Sequence, residues 1–160
     1  MSSGFYTLTV RTSFAAAHRL REYDGNCERL HGHNYHVAAE VHGPLDENQL
    51  VIDFLLVRDK LREIVLGLDH YVLLPTSHPE IRVVDDCGEV IATFGERRWI
   101  FPSGDCRILP VANTTAEMLA RYIGTQLQAA LASAGYRLDS LQVEVDECDG
   151  QVGVWNSLLA

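Results

Sequence analysis

The sequence predicts an α+β domain, an antiparallel four-stranded sheet with two helices on one face. Two observations carry this. Stretches of period-two alternation rich in β-branched and aromatic residues are separated by turn-forming clusters. Two other stretches repeat their apolar residues at helical spacing behind a capping residue. The 160 residues suit one domain, 1–160, long enough to bury a core without staples.

Residues 5–18 (FYTLTVRTSFAAAH) read as a strand. Residues 19–30 contain Asp24-Gly25-Asn26, a loop-forming cluster. Residues 31–43 resume the alternation and stop at Gly43-Pro44, so the two strands make a long hairpin. Asp53 caps a helix running to about Leu68, with Phe54, Leu61, Ile64, Val65 and Leu68 at helical spacing. From His70 to about Asp86 the chain reads as polar and irregular, and residues 88–102 as a second hairpin turning near Gly95-Glu96. Thr114 and Glu117 have the form of a capping box. They open a second helix with the stripe Leu119, Tyr122, Ile123, Leu127, Ala130 and Leu131, ended by Gly135. Leu141, Val143, Val145 and Glu147 alternate with polar residues, a half-buried strand with a carboxylate at its end.

The formal net charge of -9 argues against a general nucleic-acid or membrane-surface binder, which needs a basic face. The only lysine is Lys60, so an anionic substrate would meet arginine, with Arg19, Arg21, Arg29, Arg97 and Arg98 as candidates. No apolar run reaches the ~20 residues of a membrane span, and the first residues lack a basic start followed by an apolar stretch. A cytoplasmic location is expected. The four cysteines form no CxxC pair and are read singly. Cys87 and Cys106 flank the second hairpin and would face each other as a disulfide if oxidised.

His31-Gly32-His33 opens a strand, and residues two apart on a strand share a face. His18 ends the preceding strand of the same hairpin, so it supplies a third imidazole. Three neutral imidazoles with one open position suit catalytic zinc, which polarises a substrate oxygen or acidifies a bound hydroxyl. His36 and His42 read as ordinary strand residues and His78 as solvated. Cys27, four residues before His31, is either a thiolate base or nucleophile beside the cation or a fourth, structural ligand.

The segments FAAAHRL (14–20), GNCERLHGHNY (25–35), LVIDF (50–54), LDH (68–70), NTTAEMLARYI (113–123) and VEVDECDG (143–150) occur in this order. Together they resemble the 6-pyruvoyltetrahydropterin synthase and 6-carboxytetrahydropterin synthase family over nearly the whole chain. The resemblance implies the tunnelling fold, in which subunits join their sheets into barrels, usually as hexamers. His18, His31 and His33 match its zinc ligands, and Cys27 its catalytic cysteine. Asp69 and His70 match a catalytic dyad contributed from a neighbouring subunit. Glu147 matches the glutamate anchoring the pterin ring, and Thr114, Thr115 and Glu117 a segment near the pterin pocket. Thr114 departs from a common proline, and Cys148 from a common threonine.

The implied activity is a zinc-dependent lyase. It converts 7,8-dihydroneopterin triphosphate to 6-carboxytetrahydropterin, acetaldehyde and triphosphate, a step toward queuosine. The alternative branch keeps the side chain as a 6-pyruvoyl group on the way to tetrahydrobiopterin. A non-catalytic zinc and pterin binder, or a zinc hydrolase using the same histidines, would be the rivals.

Overall fold

A computed structural model describes residues 6–19, 28–136 and 138–158. Its elements are β1 (Tyr6–His18), β2 (His31–Gly43), α1 (Phe54–Leu66), β3 (Tyr71–Pro75), β4 (Arg82–Asp86), β5 (Glu89–Phe94), β6 (Arg97–Pro102), β7 (Cys106–Leu109), α2 (Ala116–Ser133), β8 (Ser140–Asp146) and β9 (Val152–Leu158).

The alternating segments behave as their periodicity requires. β1 and β2 pair antiparallel without a break from Tyr6↔Gly43 to His18↔His31. β8 adds antiparallel to β2, and β9 to β8. The main sheet has six strands in the order β7-β3-β1-β2-β8-β9, not four, and it is mixed: β3 runs parallel to β1 and β7 parallel to β3. The stretch read as irregular contains β3, five residues of continuous apolar character (YVLLP) that show no alternation because three of them are buried. β9 follows a tight turn and exposes Val152 and Val154.

Both helices cover one face of this sheet. Val57, Leu61 and Val65 from α1 and Leu119, Ile123, Leu127 and Leu131 from α2 share a core with Leu8, Val10, Phe14, Val37, Val41, Leu141, Val143 and Val145. Each such side chain contributes about 1.5–3 kcal/mol on burial. Asp53 caps α1, accepting from the Leu55 N–H at 2.8 Å. At α2 the cap is Thr115 rather than Thr114, its hydroxyl accepting from the Met118 N–H at 3.3 Å. Glu117 therefore does not close a capping box. Thr114 is fully buried and its main chain is used elsewhere, as described below.

β4, β5 and β6 form a separate three-stranded antiparallel sheet. The β5–β6 hairpin turns at Gly95-Glu96 as expected. The β4–β5 turn is Cys87-Gly88, both with positive φ (50° and 91°), as a tight hairpin turn requires. Its inner face places Val83, Val90, Ala92, Trp99 and Phe101 against Val72, Leu74 and Cys106. Cys87 is exposed, Cys106 is buried, and both are free thiols. The pairing considered for oxidising conditions is not the arrangement here: Cys106 belongs to β7, which pairs with β3 in the other sheet.

α2 lies close to β9. A Cβ on Gly124 would collide with the Trp155 ring, and one on Gly153 with the Ala116–Glu117 main chain. Gly124→Ala gains about 1 kcal/mol of helix propensity but must displace a packed indole. We expect a net loss of about 1–3 kcal/mol, read as a lower urea midpoint; a raised midpoint would show that the indole yields freely.

Candidate metal centre and the groove beside it

The hairpin register builds a three-histidine cluster. His18 stands opposite His31, and His33 opposite Ala16, so the three imidazoles project from the helix-covered face at its open end. Their ring centroids are 4.7, 4.9 and 5.2 Å apart. One nitrogen from each lies within 4.8 Å of the others. A Cβ at the intervening residue, Gly32, would sit 3.2 Å from the Ala16 carbonyl oxygen, so glycine suits this tight spacer.

Main-chain carbonyls orient the rings. His18 Nδ1 donates to the Thr114 carbonyl at 2.8 Å, and His31 Nδ1 to the Arg29 carbonyl at 2.7 Å. The His33 ring donates to the Glu147 main-chain carbonyl. With Nδ1 carrying the proton, Nε2 keeps its lone pair, the arrangement common to metal-binding histidines. His18 Nε2 is buried with no aligned hydrogen-bond partner. Glu147 Oε1 lies 3.2 Å away. A buried, orphaned lone pair facing two further imidazoles is costly and fits a cation. Burial, with smaller repulsion from the two other imidazoles, lowers the His18 pKa to about 4. Burial followed by His31 lowers that of His33. Both rings are thus biased toward the neutral, ligating form.

Glu147 follows β8 at the same end. Burial raises its pKa, and its Oε1 accepts from the Tyr35 hydroxyl at 3.4 Å. Tyr35 is fully buried and stacks on Phe14 with centroids 4.8 Å apart. Its ring edge also meets His18 and His33. Sequence reading passed over Tyr35, although its position two residues after His33 puts it on the same face. Glu117, exposed in the first turn of α2, is close enough to push the Glu147 pKa further up. Thr114 serves the cluster through its carbonyl, while its hydroxyl points to the Arg19 carbonyl at 3.5 Å. Thr115 is occupied as the helix cap.

Asp69 and His70 form a pair, with Nδ1 3.0 Å from Oδ2. Asp69 also accepts from the Ala15 N–H at 2.8 Å, the main cause of its lowered pKa. His70 sits at φ 63°, a left-handed conformation costly for a non-glycine residue. The Asp69 bond and a 2.6 Å hydrogen bond from its own N–H to Ala15 O hold it there. Its side chain is 80% exposed and lines an open groove with Ala15, Ala17, Asn34 and His33. Cys27 and Arg21 lie outside the described residues. Arg19 is 8% exposed, its guanidinium 4.5 Å from the Phe94 ring and 4.9 Å from the Trp99 ring. That placement removes it from the arginines able to reach an anion in solvent. Arg97 lies 3.7 Å from Glu28, three residues before His31. His42 hydrogen-bonds Thr7 at 2.8 Å. His78 Nδ1 accepts from the Glu80 and Ile81 N–H groups, which makes it a turn residue.

The His18 environment sets a pH dependence. Unfolded, the ring titrates near 6.5; folded, at about 4. Between these values the unfolded chain binds the extra proton, so stability present above 6.5 is lost as pH falls toward 4. In metal-free protein His18 should account for about 2 kcal/mol between pH 7 and pH 5. The measurement is urea unfolding at both pH values, wild type against His18→Gln; the same pH dependence in both would contradict the assignment.

Comparison with known proteins gives the family. The sequence profile described as 6-pyruvoyl tetrahydropterin synthase matches residues 7–155. A Synechocystis protein named 6-carboxy-5,6,7,8-tetrahydropterin synthase is 30% identical over 130 residues, covering 74% of this chain and 94% of that one. One of the same name from Haemophilus influenzae is 28% identical over 130 residues, covering 77% and 82%. The crystal structure of Plasmodium vivax 6-pyruvoyl tetrahydropterin synthase superposes with a TM-score of 0.89 at 26% identity, covering 98% of this chain and 99% of that one. Two variants of that protein, each replacing a glutamate, are described as catalytic residue mutants. With its sequence matched almost from end to end and its fold shared, the chain belongs to the 6-pyruvoyl tetrahydropterin synthase family.

Proposed function

We propose that the chain is a zinc-dependent 6-carboxy-5,6,7,8-tetrahydropterin synthase. It would take 7,8-dihydroneopterin triphosphate and water to 6-carboxytetrahydropterin, acetaldehyde and triphosphate, in deazapurine biosynthesis. The observation that carries this reading is the buried His18 Nε2, orphaned beside two further imidazoles and within 3.2 Å of the Glu147 carboxylate. It joins a cation site to an acceptor for a ligand's N–H groups.

His18, His31 and His33 would hold the ion, with Nδ1 of His18 and His31 tied to main-chain carbonyls. Bound zinc supplies Lewis-acid polarisation of the side-chain oxygens, making the adjacent carbon-bound proton removable. Glu147 would accept two N–H groups of the pterin edge, a charge-assisted pair, and the Tyr35 hydroxyl steadies one of its oxygens. Cys27 as thiolate would take the proton from the carbon beside the ring. His70, oriented by Asp69, would move a proton at the second carbon, acting in the site of a neighbouring copy of a hexamer. Its exposure suits a contribution across subunits. Thr114, Thr115 and Glu117 would border the pterin.

The pyruvoyl branch is the second reading. The Plasmodium neighbours bear that name, and their described catalytic residue is a glutamate. This chain has Glu28 directly after Cys27 in sequence, so a glutamate is available to the same loop.

Incubation of zinc-loaded protein with 7,8-dihydroneopterin triphosphate, followed by mass spectrometry, tests the reading. We expect 6-carboxytetrahydropterin and acetaldehyde. A 6-pyruvoyl product without acetaldehyde would select the second branch, and no turnover by folded, zinc-bound protein would reject both. Cys27→Ala should lower kcat by at least about a hundredfold with zinc content unchanged. Loss of zinc in that variant would instead make Cys27 a structural ligand.

A further inference from the structure

The outer face of the three-stranded sheet has a charge order that its inner face lacks. Cross-strand register fixes three rows on it. Arg82, Thr93 and Arg98 form the first, Val84, Ile91 and Ile100 the second, and Asp86, Glu89 and Pro102 the third. The middle row is apolar across all three strands, and its ends, Val84 and Ile100, are 55% and 48% exposed. The inner face already packs on the main sheet through Val83, Val90, Ala92, Trp99 and Phe101. The outer row therefore contributes nothing to that core. An apolar row crossing every strand of a solvent-facing sheet departs from the polar-out alternation expected there.

The flanking rows decide what fits. One edge of the apolar row is basic and the other acidic. We infer that this face is a two-fold contact between two copies of this chain. When two such faces meet about an axis running along the apolar row, the direction along the strands reverses between them. Val84, Ile91 and Ile100 then meet their own counterparts. Arg82 of one copy faces Asp86 of the other, Thr93 faces Glu89, and Arg98 lies diagonal to Glu89. An isologous contact requires this self-complementarity. Turning the axis parallel to the strands would instead set arginine against arginine, so the charge order selects one of the two arrangements. A foreign partner would need no such antisymmetry about the middle row.

The face covers roughly 250 Å² at the spacing of three strands and three rows, below the ~800 Å² per partner of a strong dimer. The contact is therefore a weak one, with the charged rows setting its register. It involves the small sheet alone and does not depend on the reaction proposed above.

The test uses two variants of the full chain. Arg82→Glu with Arg98→Glu makes both edges acidic, and Asp86→Arg with Glu89→Arg makes both basic. Circular dichroism and zinc content serve as controls for folding. Sedimentation velocity over a concentration series reads the weight-average mass at low salt. We expect each variant alone to show a lower mass than wild type at equal concentration, and an equimolar mixture to recover at least the wild-type mass. Recovery on mixing separates a self-complementary face from simple damage to a surface. Variants that sediment as wild type, or a mixture that stays at the mass of its parts, would overturn the inference.

Discussion

The cross-strand pair His18↔His31 is the constraint on which the rest of the site depends. An unbroken register from Tyr6↔Gly43 onward delivers three imidazoles to one end of one face. A slip of one residue between the two strands would put His18 on one face of the sheet and His31 with His33 on the other. The core residues that fix this register, Leu8, Val10, Phe14, Val37, Ala39 and Val41, alternate in phase with the histidines. The force that places the ligands is therefore ordinary apolar burial, expressed along the same strands. Carbonyls of Arg29 and Thr114 then set the ring tautomers. Thr114 sits just before α2, so the docking of that helix is coupled to the orientation of His18.

The small sheet is coupled to the same end of the molecule. Arg19 follows His18 directly, and its guanidinium lies over the Phe94 and Trp99 rings. Leu30, which precedes His31, lines a shallow apolar pocket with Trp99, Phe101 and Leu73. Both ends of the loop carrying Cys27 thus leave the hairpin against β5 and β6. The Arg97–Glu28 pair adds a charge contact, weak at this exposure. The buried cation–aromatic stack is the stronger tie, because a desolvated guanidinium gains more from ring faces.

Much of this was legible from residue order. The hairpin, both helices, the turn at Gly95-Glu96 and the three histidines follow from alternation, capping residues and the same-face rule for residues two apart. β3 was hidden because it is short and largely buried, and so carries no polar alternation; β7 was hidden because four residues are too few to show a period. β4 was hidden because its turn uses Cys87-Gly88, outside the usual asparagine–glycine signal. Thr115 displaced Thr114 as the cap because Thr114 is drawn into the histidine support, a tertiary demand invisible locally. Tyr35 lay in plain view on the correct face, but a tyrosine among strand residues reads as core until Glu147 is found opposite its hydroxyl.

The positions of Glu147 and His70 show how differently two reactive groups are maintained. Glu147 is partly buried, which disfavours its charge, and the Tyr35 hydroxyl and the His31 imidazole offset part of that cost. His70 is the reverse. Its ring is largely in solvent, while its backbone occupies a left-handed conformation that only local hydrogen bonds to Ala15 and Asp69 sustain. A strained backbone beneath an exposed ring has no packing benefit inside this chain, because nothing apolar is buried by it. Strain of this kind persists where the surroundings over-determine it. Here the carboxylate of Asp69 both accepts the Ala15 N–H and steers the ring, so one side chain fixes the conformation and the direction of the imidazole together.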